Sequence, residues 1–221
     1  LDREFHMHFF SSENSSFNYQ KKYLMPDTLD DNLNLTILTK FILEKVKDFE
    51  KDIGSFIEKI NVITDAKYDQ FSLSLKNKYN SNQISEIDVV RLISDAKQFI
   101  MRNNKNCFIL HVLVDKYIID GNEYFEFPEN LNYNELIIDV SFITVSNSII
   151  KIFNRILKDC NIEVKKFISH QYSSRFADDN DSSPCIAAKK VNDGINPLEV
   201  KIHNSKAQKQ GLFEKMFNFF N

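Results

Sequence analysis

Cys107-Phe108-Ile109-Leu110-His111-Val112-Leu113-Val114 runs on through Asp115-Lys116 into Tyr117-Ile118-Ile119 and stops at the turn pair Asp120-Gly121. So continuous an apolar run predicts a buried strand, and Asp-Gly predicts a tight hairpin turn behind it. Leu136 to Val145 is a second long apolar run and predicts a second buried strand. Upstream, Phe71, Leu73 and Leu75 alternate with Ser72, Ser74 and Lys76, the pattern of a half-buried strand. Between them Ser85 stands three residues before Asp88, a capping box with Asp in place of Glu. The helix that follows should turn Val89, Leu92, Ile93, Ala96, Phe99 and Ile100 inward.

The elements on either side extend the same order. Leu35, Leu38, Phe41, Ile42, Val46, Phe49 and Ile53 keep a helical period that Gly54 ends. Phe56 to Thr64 reads as a strand. Ser146 or Asn147 opens a helix reaching Cys160, with Ile149, Ile152, Phe153, Ile156 and Leu157 inward, and Ile162 to Ile168 reads as a strand. Residues 35 to 170 therefore predict an α+β body, a mixed or antiparallel sheet with helices packed on one face. Residues 1–33 read as a poorly ordered segment, because Ser11 to Asn18 is rich in Ser and Asn and Pro26-Asp27-Thr28 is a turn signal. Residues 177–210 read as a linker that opens on the acidic stretch Asp178 to Pro184. The expected division is thus 1–33, 34–176, 177–210 and 211–221.

Composition narrows the function. A formal net charge of -3 gives no field that favours nucleic acid, so no nucleic-acid partner is expected. Three cysteines far apart, Cys107, Cys160 and Cys185, fit neither a disulfide framework nor a zinc spacing and point to a reducing cytosol. The four glycines are isolated, so neither a P-loop nor a dinucleotide fingerprint can be drawn. No signal peptide or transmembrane run is read.

Several constellations hold groups that could do chemistry. His6 and His8 could share a metal, but no third ligand lies near, so a surface pair is the plainer reading and no metal is expected. His111, inside an apolar strand, reads as a hydrogen-bonded core or edge histidine. His170 with Ser169, Ser173 and Ser174 suggests a hydrolase but lacks a nucleophile elbow and an orienting acid. Asp178 to Asp181 lacks the spaced ligands and glycine turn of a calcium loop. The expectation is a protein without catalytic residues.

The last eleven residues, Gly211 to Asn221, give the sharpest functional signal. Wound as a helix, Leu212, Phe213, Met216, Phe217, Phe219 and Phe220 form one apolar stripe opposite Glu214, Lys215, Asn218 and Asn221. The stretch is too short to span a bilayer and long enough to lie in its interface. Lys209 and Lys215 would meet anionic headgroups, each contributing about 1 kcal/mol.

The segment Ile87 to Ser174 resembles the bacterial cell-division protein FtsA, an actin-related membrane adaptor. The residues that carry the resemblance are Ile84 to Val89, Phe108 to Val114, Tyr117 to Gly121, Pro128, Leu136 to Thr144 and Asn161 to Val164. They resemble the family's inserted subdomain 1C, an SHS2-like fold. The helix at 35–53 and the strands after it resemble the neighbouring part of subdomain 1A. Gly211 to Phe217 is similar to the family's C-terminal membrane-targeting helix, which also follows a flexible leash. The resemblance covers a little over half the chain.

It implies a reduced or degenerate relative: an adaptor on the cytoplasmic face of the inner membrane, binding division proteins or itself through the 1C-type domain. The glycine-rich hairpins that hold ATP and magnesium in the family are not found, so no cofactor is expected. The lobe that contacts FtsZ is missing too, so that contact does not carry over. Two alternatives are a related actin-like scaffold of pilus or secretion machines, and a small hydrolase using His170.

Overall fold

The computed structural model describes residues 4–10, 18–25, 35–128, 131–178 and 183–200. Its centre is a four-stranded antiparallel sheet built from β4 (Asp69–Gln83), β5 (Cys107–Ile119), β6 (Asn122–Tyr124) and β7 (Asn132–Ser146), in the order β4-β7-β5-β6. Helix α2 (Glu86–Asn103) crosses one face. Its N-terminus is fixed as the capping pattern predicts: the Asp88 N–H donates to Ser85 Oγ at 3.3 Å, and Ser85 Oγ donates to Asp88 Oδ2 at 2.7 Å.

The apolar spacing of β5 follows from two bulges. Ile109, Val112, Val114, Tyr117 and Ile119 all face α2, although simple alternation cannot place them together. Register shifts at Ile109/His111 and Val114/Lys116 each insert one residue and restore the phase. In β7 the alternation is unbroken from Leu136 on: Leu136, Ile138, Val140 and Phe142 face α2 and are fully buried. The odd-numbered face of β7 changes character along its length. Asp139 and Ser141 lie in a polar stretch, with Asp139 accepting from Ser74 at 2.6 Å and Ser141 donating to Asp115 at 2.7 Å. Ile143 and Val145, further on, are buried against a second layer. The sheet is therefore covered on both faces at one end and on one face at the other. That is why Cys107–Val114 reads as a continuous apolar run while β4 alternates.

The second layer is built around β3 (Lys59–Thr64) and β8 (Glu163–Ser169), which pair in parallel. Helix α3 (Asn147–Asp159) leads directly from β7 into β8, and α1 (Leu35–Ile53) packs beside it. Leu38, Phe41, Ile42 and Val46 of α1 share a core with Ile156, Leu157 and Ile162. Strands β3 and β8 are neighbours in space, yet the whole β4–β7 unit lies between them in sequence. The four-stranded unit is thus an insertion into the connection between two parallel strands.

Two segments depart from the expectation of loop. Within residues 1–33, β1 (Glu4–Phe10) and β2 (Asn18–Leu24) form an antiparallel hairpin. The hairpin packs on α1: the Phe5 and Phe41 rings meet edge to face at 5.9 Å, and Tyr19 donates to Asp52 at 3.0 Å. Phe5 and Met7, with Tyr23 across the pair, supply the alternation. The Ser/Asn-rich stretch between the strands masked that signal. Within 177–210, Pro184–Asn192 forms helix α5, with Ala187, Ala188 and Val191 buried. Nine residues carry too few apolar positions for a period to show. Further on, Leu198 to Val200 pairs antiparallel with β5: Val114 N–H donates to Leu198 O and Val200 N–H to Val112 O, both at 2.9 Å. Smaller differences concern single side chains. Phe99 and Phe56, read as parts of a buried face and a strand, are 59% and 90% exposed.

Candidate functional site

The residues from Leu198 to Val200 place Glu199 over the second face of the sheet, and a buried polar cluster forms around it. His111 Nδ1 lies 2.8 Å from Glu199 Oε1, and the Ser169 backbone N–H donates to His111 Nε2 at 3.0 Å. A backbone amide can only donate, so Nε2 carries the lone pair and Nδ1 the proton. His111 is therefore neutral, and burial holds its pKa below the usual value despite the carboxylate beside it. Burial works against the Glu199 carboxylate, but hydrogen bonds from His111 and Lys166 outweigh it and keep its pKa low. Lys166 donates to Oε1 at 3.2 Å and supplies the counter-charge.

The other carboxylate oxygen accepts from the Tyr172 hydroxyl at 3.0 Å, which in turn accepts from Asn196 Nδ2 at 3.0 Å. Burial pushes the Tyr172 phenol far above its ordinary range. The cluster ties β5, β8, the short helix α4 (His170–Ser173) and the 195–200 segment together. The His111 and Tyr172 protons both go to Glu199, whose charge Lys166 balances, so the cluster acts as a strut. It fixes the point from which the chain continues beyond Val200.

The polar half of the sheet and the strand β4 form part of the exposed surface of the inserted unit. β4 is at the sheet edge and pairs only with β7 among the described residues. Its Ser72, Ser74 and Lys76 are exposed, and Lys76 bridges to Glu135 of β7 at 2.7 Å. A strand edge with polar side chains is open to partners that add a strand, while its charges discourage indiscriminate pairing.

The sequence-derived candidates fall as follows. Lys209, Leu212, Phe213, Lys215, Met216, Phe217, Phe219 and Phe220 lie outside the described residues, as do Asp179 to Asp181. Asp178 pairs with Lys190 at 2.7 Å. His6 Nε2 is 2.8 Å from Glu4, and the His8 ring stacks on Phe10 at 4.0 Å. Among the described residues no three potential ligands gather into a metal site.

His170 has an acid partner that sequence could not reveal, Asp65 at 3.3 Å. Its neighbouring serines are turned to the backbone instead. Ser169 Oγ accepts from the Tyr172 N–H, Ser173 donates to His170 O and Ser174 to Gln171 O. No nucleophile–base hydrogen bond is made among the described residues. The three thiols are free, and burial raises each pKa, opposite to what a reactive cysteine needs. Of the cluster, sequence singled out only His111. Glu199, Lys166, Tyr172 and Asn196 were missed, and the apolar–polar–apolar triplet Leu198-Glu199-Val200 was the one local sign.

The order strand–helix–strand–strand–strand, with one helix on a four-stranded antiparallel sheet and the unit inserted into a parallel pair, defines a small α+β module. Residues 69–144 match the family model described as the SHS2 domain inserted in FtsA, and the match takes in β4, α2, β5, β6 and most of β7. The chain thus carries an FtsA-like, SHS2/1C-type domain over about a third of its length. That domain is a non-catalytic protein-interaction module. β4, which the resemblance had grouped with the 1A-like part, belongs to the inserted module, while α3 and β8 fall outside the match. No curated protein matches the chain. Among the described residues no helix is long and apolar enough to cross a membrane.

Proposed function

We propose that this chain is a non-enzymatic cell-division adaptor on the cytoplasmic face of the inner membrane. Its SHS2-type module binds division proteins or a second copy, and the segment from Gly211 onward holds it reversibly on lipid. The observation that carries the reading is the module itself. An SHS2 domain of the FtsA type, seated between β3 and β8, suggests a cell-division-related, actin-like protein. The terminal stripe supplies the membrane half. Six large apolar side chains give roughly 10 kcal/mol gross, reduced by partial burial and by the cost of ordering so short a helix. Binding by one copy is weak, and assembly of several copies makes it firm.

The reading gives ATP no role. Among the described residues, Gly54, Gly121 and Gly194 stand singly at positive φ, one after α1, one in the β5–β6 turn and one after α5. A phosphate cradle needs successive backbone N–H groups converging on one point. The module offers surface rather than chemistry, through the β4 edge and the polar half-face around Asp115, Asp139 and Glu135.

The test is localisation together with sedimentation. A fluorescent fusion should concentrate at the division site of its host, and Phe217→Glu should release the purified protein from anionic vesicles. Uniform fluorescence through dividing cells, or unchanged sedimentation of the Phe217→Glu protein, contradicts the reading.

A further inference from the structure

Helices α1 and α3 leave a groove of about 950 Å³ between them on the outer side of the second layer. Leu43, Ile152 and Ile156 contribute apolar surface to it. Lys40 and Lys47 line it from α1, Lys151 and Arg155 from α3. None of these four cations makes an ion pair among the described residues. Two acids line the groove as well, Glu44, paired with Lys45 at 2.9 Å and within the field of Lys40, and Asp159 at the end of α3, so four cations against two acids leave the lining net positive. The arrangement continues along both helices. Lys40, Lys47 and Lys51 fall on one face of α1 at i, i+7 and i+11, and Lys151, Arg155 and Lys158 on one face of α3 at i, i+4 and i+7. Elsewhere on the surface lysines are commonly paired, as Lys76, Lys116 and Lys189 are. Two rows of cations outside ion pairs, beside the partly exposed Leu43 and Ile152, match a surface that is anionic at the top and apolar beneath.

We propose that this α1/α3 face is a second membrane contact, docking the body itself on an anionic bilayer with phosphate headgroups seated on the cation rows. The proposal rests on the membrane reading above but uses different residues. It converts a body hanging from a leash into one with a fixed face to the lipid, so that the inserted module is presented in a defined orientation. The geometry permits both contacts at once. The strut fixes the chain at Val200, and the ten residues from Lys201 to Gln210 can span up to about 35 Å. That reach is about twice the ~16 Å radius of gyration expected for a body of this size, so the tail reaches the same bilayer from an exit point on the near or lateral side of the body.

The test uses the full chain and vesicles of phosphatidylglycerol with phosphatidylethanolamine, against vesicles of phosphatidylcholine alone. Lys151→Glu with Arg155→Glu should weaken binding to the anionic vesicles about 25-fold or more, at about a factor of five for each headgroup contact. The loss should vanish in high salt. Lys105→Glu with Lys165→Glu changes net charge equally on exposed positions outside the groove and should have little effect. Phe217→Glu should leave a residual salt-sensitive binding that the groove pair abolishes. If the groove pair binds as the parent does, or if the control pair weakens binding equally, the proposal is overturned while the tail reading stands. If Phe217→Glu has no effect but the groove pair releases the protein, the tail reading fails and the groove stands. Unchanged vesicle binding would leave the groove to an acidic protein segment and end the lipid assignment. Circular dichroism of each variant guards against unfolding.

Discussion

Glu199 shows how much one side chain can decide. Its carboxylate accepts from His111, Lys166 and Tyr172, and its side chain is only 8% exposed. Glu199→Gln keeps the shape but removes the charge that Lys166 balances and offers an amide N–H where an acceptor is needed. We expect a loss of about 2 kcal/mol in chemical denaturation, the order of an orphaned buried polar group. The same cluster makes stability fall in acid. His111 has its pKa lowered in the fold, so below its ordinary value of 6.5 the unfolded chain takes up a proton that the folded chain refuses. Stability is full above that pH and declines as pH drops through it, by at most about 1.4 kcal/mol per unit for one proton. Glu199, also lowered, adds a further loss as pH falls below its ordinary value of 4.5. Melting temperatures between pH 7.5 and 5 should fall for the parent and fall less for His111→Gln.

At the scale of elements, legibility tracked length. β5, β7, α1, α2 and α3 were read from sequence because each carries a run or period long enough to stand out, and the cap at Ser85 is made as read. The hairpin β1–β2 and helix α5 were not, since the first owes its place to packing on α1 and the second to packing on α4, β1 and β3 rather than to a pattern of their own. The β5 bulges were invisible for a different reason: a bulge is a property of the pair, set by the register with β7. The parallel pairing of β3 with β8, and hence the insertion of the module, could not be read from local pattern at all. Phe142 marks where α2 and the sheet close on each other, fully buried against Phe71 and the α2 face. Phe142→Ala should cost about 3–5 kcal/mol. Urea unfolding will check it, and a cost under 1 kcal/mol would mean that the module core is not organised around that strand.

On the scale of the whole molecule, the proposed function divides the tasks: the module would offer its edge and polar face to proteins, and the last eleven residues would hold lipid. The strut holds the chain at Val200. The module's strands were legible in the sequence; the strut, which joins residues far apart in the chain, became visible only in three dimensions. The chain contains no tryptophan, so Phe217→Trp places a single emitter in the middle of the stripe. Its emission on titration with phosphatidylglycerol vesicles tests the adaptor account most directly. The account predicts a water-like emission in buffer that shifts to the blue as vesicles are added. An emission already blue in buffer and unmoved by vesicles would place the ring inside the protein and contradict it.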